Sequence, residues 1–182
     1  IILAGGAGLR LLPFTLDKPK TMVAVLDKPI IEWILLWLKK NKIKKLIVSV
    51  DYKKEALIKH LDNGRDFGIS IIYNDHSSAK ETGDAFRSVL EKNNLPKYFF
   101  ALNSDQITDL RLKDLAAHHL KYRPIATIVV CPTQLPYGVV EVGSNHSVVK
   151  FVEKPILKDV LMNSGIYVFD KDILEYLPKR GS

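Results

Sequence analysis

Apolar residues along the chain alternate between short continuous runs and stretches where they recur every three or four positions. Ile1–Leu3, Leu46–Val50, Ile69–Tyr73, Tyr98–Leu102 and Ile125–Cys131 are short, largely β-branched or aromatic runs, which predict buried strands. Between them the period lengthens. Ile30–Lys42 puts Ile31, Ile34, Leu35 and Leu38 on one helical face, and Lys53–Leu61 does the same with Ala56, Leu57, His60 and Leu61. Asp84–Leu90 and Leu112–Leu120 read as two further helices, and Ala4–Thr15, punctuated by glycine and proline, reads as a loop. Strand and helix in alternation predict parallel βαβ units and hence a layered α/β sheet. After residue 131 the pattern changes. Val139–Val142, Val148–Val152 and Ile166–Phe169 are short strands separated by turn residues, with Gly143-Ser144-Asn145-His146 as a hairpin loop. The expected class is therefore α/β, with a mixed, mostly parallel sheet and antiparallel strands added in the C-terminal part. We expect one domain over 1–182, with parts at 1–131 and 132–182.

Composition narrows the picture. A chain of 182 residues can bury a real core, and 47% hydrophobic with 26% charged residues is ordinary for a globular protein. The single cysteine, Cys131, permits no internal disulfide, so the expected setting is reducing and cytoplasmic, and Cys131 itself reads as a buried strand residue. No apolar run approaches the roughly 18 residues of a membrane span, and no signal-peptide pattern is present. Net charge is +7, of which +6 falls in the first fifty positions. Lys39, Lys40, Lys42, Lys44 and Lys45 form a run that reads as a solvated helix end and turn. It lacks the interleaved aromatics of a nucleic-acid surface, so we expect neither nucleic acid nor membrane as partner. The five histidines show no metal-ligand spacing, and His60 reads as a packing residue.

Candidate chemistry begins directly after the first strand, at Leu3-Ala4-Gly5-Gly6-Ala7-Gly8-Leu9-Arg10. Glycines there let backbone N–H groups approach a phosphate or a base without an intervening Cβ. The dinucleotide fingerprint fails, because Leu11 stands where its third glycine belongs, and no Gly-Lys-Ser/Thr follows for a P-loop. Arg10 and Lys20 add two cations to the same loop. Arginine can fork two phosphate oxygens and lysine supplies a point charge, which together suit a triphosphate. Asp105 follows a predicted strand end, where open α/β sheets place ligands, and a lone carboxylate there is a suitable hard ligand for Mg²⁺.

The segment Leu-Ala-Gly-Gly-x-Gly-x-Arg-Leu-x-Pro-x-Thr-x3-Pro-Lys-x-Met, then Lys28-Pro29, closely resembles the opening of the sugar-phosphate nucleotidyltransferases, the NDP-sugar pyrophosphorylases. Thr82-Gly83-Asp84-Ala85 resembles that family's base-side segment and Asn103-Ser104-Asp105 its metal corner. Tyr137–Glu141, Val152–Pro155 and Asn163–Tyr167 resemble its three sugar-side segments, in the family's order. The resemblance implies a Rossmann-like three-layer α/β/α domain that transfers a nucleotidyl group from an NTP to a sugar 1-phosphate. It assigns Arg10 and Lys20 to catalysis. Leu3, Ala4, Gly5, Gly6, Gly8, Thr82 and Gly83 would bind nucleotide; Gly138, Glu153, Lys154 and Asn163 would bind the sugar phosphate. Asp105 would hold Mg²⁺. It admits a homo-oligomer.

Three positions depart from the family pattern. Glu81 stands where a glycine usually precedes the threonine, Ser104 replaces glycine before Asp105, and Thr21 replaces a common proline. The family's second metal carboxylate lies in a later segment, so the expectation is a domain incomplete at its C-terminus. The alternative function is a non-catalytic relative that binds without turnover. Retention of Arg10, Lys20 and Asp105 together favours the enzyme. A glycosyltransferase is disfavoured, since Gln106 and Ile107 follow Asp105 where an Asp-x-Asp pair would need a second acid.

Overall fold

The apolar triplet at the chain start is flanked on both sides by strands formed much later in the sequence. The structure, a computed structural model, describes residues 1–77 and 81–177. In chain order its elements are β1 (Ile2–Leu3), β2 (Ala24–Val25), β3 (Lys28–Pro29), α1 (Ile30–Lys40), β4 (Lys45–Val50), α2 (Lys54–Leu61), β5 (Ser70–Asp75), α3 (Thr82–Lys92), β6 (Tyr98–Asn103), α4 (Leu112–Tyr122), β7 (Ala126–Gln134), β8 (Val139–Val142), β9 (Val148–Val152) and β10 (Ile156–Asp170). Short 3-10 turns occur at Leu9–Leu11, Lys20–Met22, Arg65–Phe67 and Lys171–Glu175.

The main sheet has the order β5-β4-β1-β6-β10-β7. β1 runs parallel to β4 (Ile2 opposite Val48) and to β6 (Ile2 opposite Leu102), and β4 runs parallel to β5. β10 is antiparallel to β6, with Ile166 opposite Leu102. This is the mixed, mostly parallel α/β sheet that the alternating pattern predicts, and the Rossmann-like fold that the resemblance implies. One expectation needs correction. The strands near 139–142 and 148–152 form their own antiparallel pair and do not join the main sheet; β10 does join it, and is much longer than the Ile166–Phe169 run suggests.

Two compact units emerge, one formed by Ile1–Thr127 with the chain from Gly165 onward, the other by Ile128–Ser164. The core of the first follows from helix periodicity. α1 buries Ile30, Ile31, Ile34, Leu35, Trp37 and Leu38, a broad stripe, while Lys39 and Lys40 close its solvated end. Trp37 Nε1 donates to the Leu110 carbonyl (2.9 Å), and Asn41 Oδ1 accepts from the Leu112 amide (2.8 Å), a remote cap for the first turn of α4. α3 buries Ala85, Phe86 and Val89, and the Phe86 ring meets Tyr167 and Phe169 edge-on.

His119 is fully buried, its Nδ1 2.8 Å from Thr127 Oγ1 and its ring edge-on to Tyr98. His60 is exposed and bonded to Glu32 (2.8 Å), so it makes a surface pair instead of packing in the core. In the second unit β8 and β9 pair Val140 with Phe151 and Glu141 with Lys150, around a turn closed by the Gly143 amide on the Ser147 carbonyl (2.8 Å). Every residue of both strands is exposed. Cys131 is half-buried, not a core residue: β7 presents alternate residues to solvent there. Among the described residues no helix is long and apolar enough to cross a membrane.

Candidate active site

Four parallel strands end at one edge of the first unit, and residues at or shortly past each end line a common cavity of about 390 Å³. β1 delivers Leu3, Gly5 and Gly6; β4 delivers Asp51; β5 delivers His76; β6 delivers Asn103, Ser104 and Asp105. Glu81, Thr82 and Ala85 come from the start of α3, and Lys20 from the loop after β1. β1 lies between β4 and β6, where the order of parallel strands reverses, and open α/β sheets bind ligands beyond the carboxyl ends at such a point.

Local chemistry explains how the loop after β1 returns to this edge. Gly8 takes φ +61°, a left-handed conformation in which a side chain would be strained. Its carbonyl accepts from the Leu11 amide (2.8 Å) and from Thr15 Oγ1 (3.1 Å), and Thr15 is fully buried. The Lys20 amide then reaches the Gly6 carbonyl (3.4 Å). The loop is thereby folded on itself, and Lys20 arrives opposite Asp105, 85 residues away in sequence, with Nζ donating to Oδ2 at 2.5 Å. A second cavity, about 690 Å³, is lined by Gly6, Gly8, Arg10, Lys20 and Asp105 with their apolar neighbours. Gly6, Lys20 and Asp105 line both.

Burial alone would raise the Asp105 carboxyl, but hydrogen bonds from Lys20 and Gln106 outweigh it and hold the group below the usual carboxylate range. It is therefore ionised at neutral pH. It is not a helix cap, since α4 begins only at Leu112. Among the described residues no three His, Cys, Asp or Glu side chains converge as a metal site. A lone ionised carboxylate fits an ion that takes one or two carboxylates and completes its shell with phosphate and water, which is the habit of Mg²⁺.

His76 is buried with Nδ1 2.7 Å from Ser49 Oγ. Burial lowers its pKa, and the nearby Asp51 and Asp75 charges only partly oppose this. The imidazole packs so tightly on Gly5 that a Cβ there would lie 2.4 Å from Nε2 and 2.8 Å from the Asp51 Cβ. Gly6 has open space in the same position.

Of the residues singled out in the sequence, Leu3, Gly5, Gly6, Lys20, Thr82 and Asp105 line the first cavity, and Gly8 and Arg10 the second. Ala4 is buried behind it, its amide on the Ser49 carbonyl (2.7 Å), and Gly83 is buried in the first turn of α3. Gly138, Glu153, Lys154 and Asn163 belong to the second unit. There Glu153 and Lys154 form a bend after β9, with Lys154 at φ +45° and the two charges 3.8 Å apart. A Cβ on Gly138 would meet Phe151 Cζ at 2.5 Å and Glu153 Oε2 at 3.0 Å. Asp51, His76 and Asn103 also line the first cavity and were not singled out as site residues. Their signal was the one that found Asp105, a polar residue at the end of an apolar strand run.

Comparisons with known proteins bear on the family of the chain. A model of the nucleotidyl transferase family matches residues 1–181. A D-glycero-alpha-D-manno-heptose 1-phosphate guanylyltransferase from Campylobacter jejuni is 36% identical over 95% of this chain and 76% of its own length. A UTP–glucose-1-phosphate uridylyltransferase from Synechocystis is 30% identical over 98% of this chain and 50% of its own. The chain spans about half the length of most curated relatives that it matches. Among solved structures, HddC from Yersinia pseudotuberculosis complexed with GMP-PN superposes with a TM-score of 0.74 at 26% identity, covering 97% of this chain and 78% of that one. By these matches the chain belongs to the nucleotidyl transferase family.

Proposed function

We propose that the protein transfers a nucleotidyl group from an NTP to a sugar 1-phosphate and releases pyrophosphate. A phosphate oxygen of the sugar phosphate attacks the α-phosphorus, and the bond from that phosphorus to the oxygen bridging it to the β-phosphorus breaks, so that the oxygen leaves with the pyrophosphate. Such a reaction asks little covalent chemistry of a protein; it must align two anions that repel and stabilise charge on the departing group.

The observation that carries the reading is the Lys20–Asp105 pair at the junction of the two cavities, beside a loop of backbone donors. Lys20 is already drawn towards a negative oxygen and can exchange the carboxylate for a phosphate when nucleotide arrives. Arg10, exposed on the second cavity, is available to the departing pyrophosphate. Gly5, Gly6 and Thr82 would line the base and ribose, and Gly8, through its backbone, shapes the loop that returns Lys20. Asp105 would hold Mg²⁺, which when bound screens the phosphate oxygens from one another. Gly138, Glu153 and Asn163 would hold the sugar hydroxyls and Lys154 its phosphate, for which hexose 1-phosphates are the first candidates.

Pyrophosphate release tests this directly, with the common triphosphates crossed against glucose, mannose, galactose and N-acetylglucosamine 1-phosphates. Release in one or two combinations supports the transferase. No release in any of them, from folded protein that binds nucleotide, would move the reading to a non-catalytic binding subunit.

A further inference from the structure

We propose that the nucleotide taken by the first cavity is a guanosine triphosphate, with Asp51, Glu81 and the His76 imidazole reading its base. This rests on the nucleotidyltransferase reading above.

Charge orients the ligand. Lys20 lies at the junction with the second cavity, where Arg10 and the glycine loop lie. Asp51 and Glu81 line the first cavity and not the second. Phosphates are drawn to the cations and repelled by these two carboxylates, so the base is left with Asp51, Glu81 and His76. Glu81 is exposed just before the first turn of α3, and Asp51 is half-buried and meets Gly5 from the same side as His76.

The His76 ring is held by a chain of polar side chains. Asn93 Nδ2 donates to Asn74 Oδ1 (3.5 Å), which orients the Asn74 amide. Asn74 Nδ2 then donates to Ser49 Oγ (3.4 Å). In the proposed arrangement the Ser49 hydroxyl donates to His76 Nδ1 (2.7 Å), and the neutral imidazole carries its proton on Nε2. Nε2 is the atom packed against Gly5, at the wall of the cavity.

With the proton on Nε2 the wall offers one donor, Nε2–H, among carboxylate acceptors. Guanine is the complement: O6 accepts, and the adjacent N1–H and N2 amine both donate, so one carboxylate can take both. Uracil and thymine have a single N–H between two carbonyls, so a carboxylate that reaches the N–H also faces a carbonyl oxygen. Adenine and cytosine put a ring acceptor beside their amine. A site that pairs the donors and acceptors of one base discriminates against an analogue that leaves its own polar groups unpaired.

The test is equilibrium binding of GTP, ITP, UTP, dTTP and ATP to the intact protein by calorimetry. Inosine keeps O6 and N1–H and lacks only the N2 amine. We expect GTP to bind about tenfold or more tighter than ITP, and tighter still than the other three, as charged hydrogen bonds require. Asp51→Asn should bring the GTP-to-ITP ratio close to one, and Glu81→Gln should lower it less. The wild-type comparison needs no variant, so a misfolded mutant leaves it intact. Equal binding of GTP and ITP, or tighter binding of UTP, dTTP or ATP, overturns the guanine assignment while leaving the transferase reading standing. Failure of every triphosphate to bind folded protein overturns both.

Discussion

Lys20 and Lys154 each stand beside a carboxylate, yet the two pairs are made in opposite ways. Lys20 meets Asp105 at 2.5 Å across 85 residues of chain, and both side chains are 32% exposed. Lys154 meets its own neighbour Glu153 at 3.8 Å, with the two side chains 58% and 62% exposed. The first pair exists only because a glycine loop folds back and a strand ends opposite it. The second follows from adjacency and a backbone bend. A charge held by tertiary structure is preorganised for one geometry, whereas a charge held locally keeps its rotamers and is screened by water. On the proposed function, the first unit would serve the step where charge develops and the second the recognition of a substrate group.

The largest expected effect tests that contrast directly. Lys20→Ala should lower kcat by roughly 10²–10³-fold, the usual scale for losing one preorganised charge stabiliser. Lys154→Ala should raise KM for the sugar phosphate by about tenfold and change kcat little, as loss of uniform binding does. Steady-state pyrophosphate release reads both, and equal kcat losses would break the comparison. Next come the glycines. Gly5→Ala forces a methyl group against the buried His76 ring and should cost about 1–3 kcal/mol, read as a lower midpoint in denaturant. Gly138→Ala meets the tips of two exposed side chains, Phe151 and Glu153, and should cost less.

Gly6→Ala sharpens the picture further, because a Cβ there meets nothing within 4 Å. The midpoint should be unchanged while nucleotide binding weakens, if the backbone at Gly6 is approached by ligand. Unchanged binding would remove Gly6 from the site.

The smallest effect is in pH. His76 and His119, both in the first unit, have pKa values lowered by burial from 6.5. The unfolded chain takes up these protons near pH 6.5 and the folded chain only at lower pH. Stability is therefore intact above that value and falls as pH drops below it, until the folded imidazoles also protonate. Denaturant midpoints between pH 7.5 and 5.5 should show the decline, and His119→Gln should flatten it.

Much of the fold was legible because its signals are local. The runs at Leu46–Val50 and Tyr98–Leu102 and the period of Ile30–Lys42 correspond to β4, β6 and α1 within a few residues. β2 and β3 escaped notice because two-residue strands carry no period. The length of β10 was hidden because Lys158, Asp159 and Asn163-Ser164-Gly165 interrupt its apolar pattern, while the strand continues through them. Gly165, at φ +72°, lets that strand pass Asn103 so closely that a Cβ would lie 2.6 Å from its Nδ2.

The sequence by itself determined the order of the longer strands and helices, the glycine loop with its two cations, and the position of Asp105 at a strand end. These depend on side-chain period and backbone freedom over a few residues. Only the tertiary structure decided that Lys20 meets Asp105, and that Asp51 and His76 share a wall with Gly5. Those residues lie far apart in the chain. They converge because parallel pairing aligns the carboxyl ends of β1, β4, β5 and β6, strands well separated in the chain and joined only by tertiary contacts.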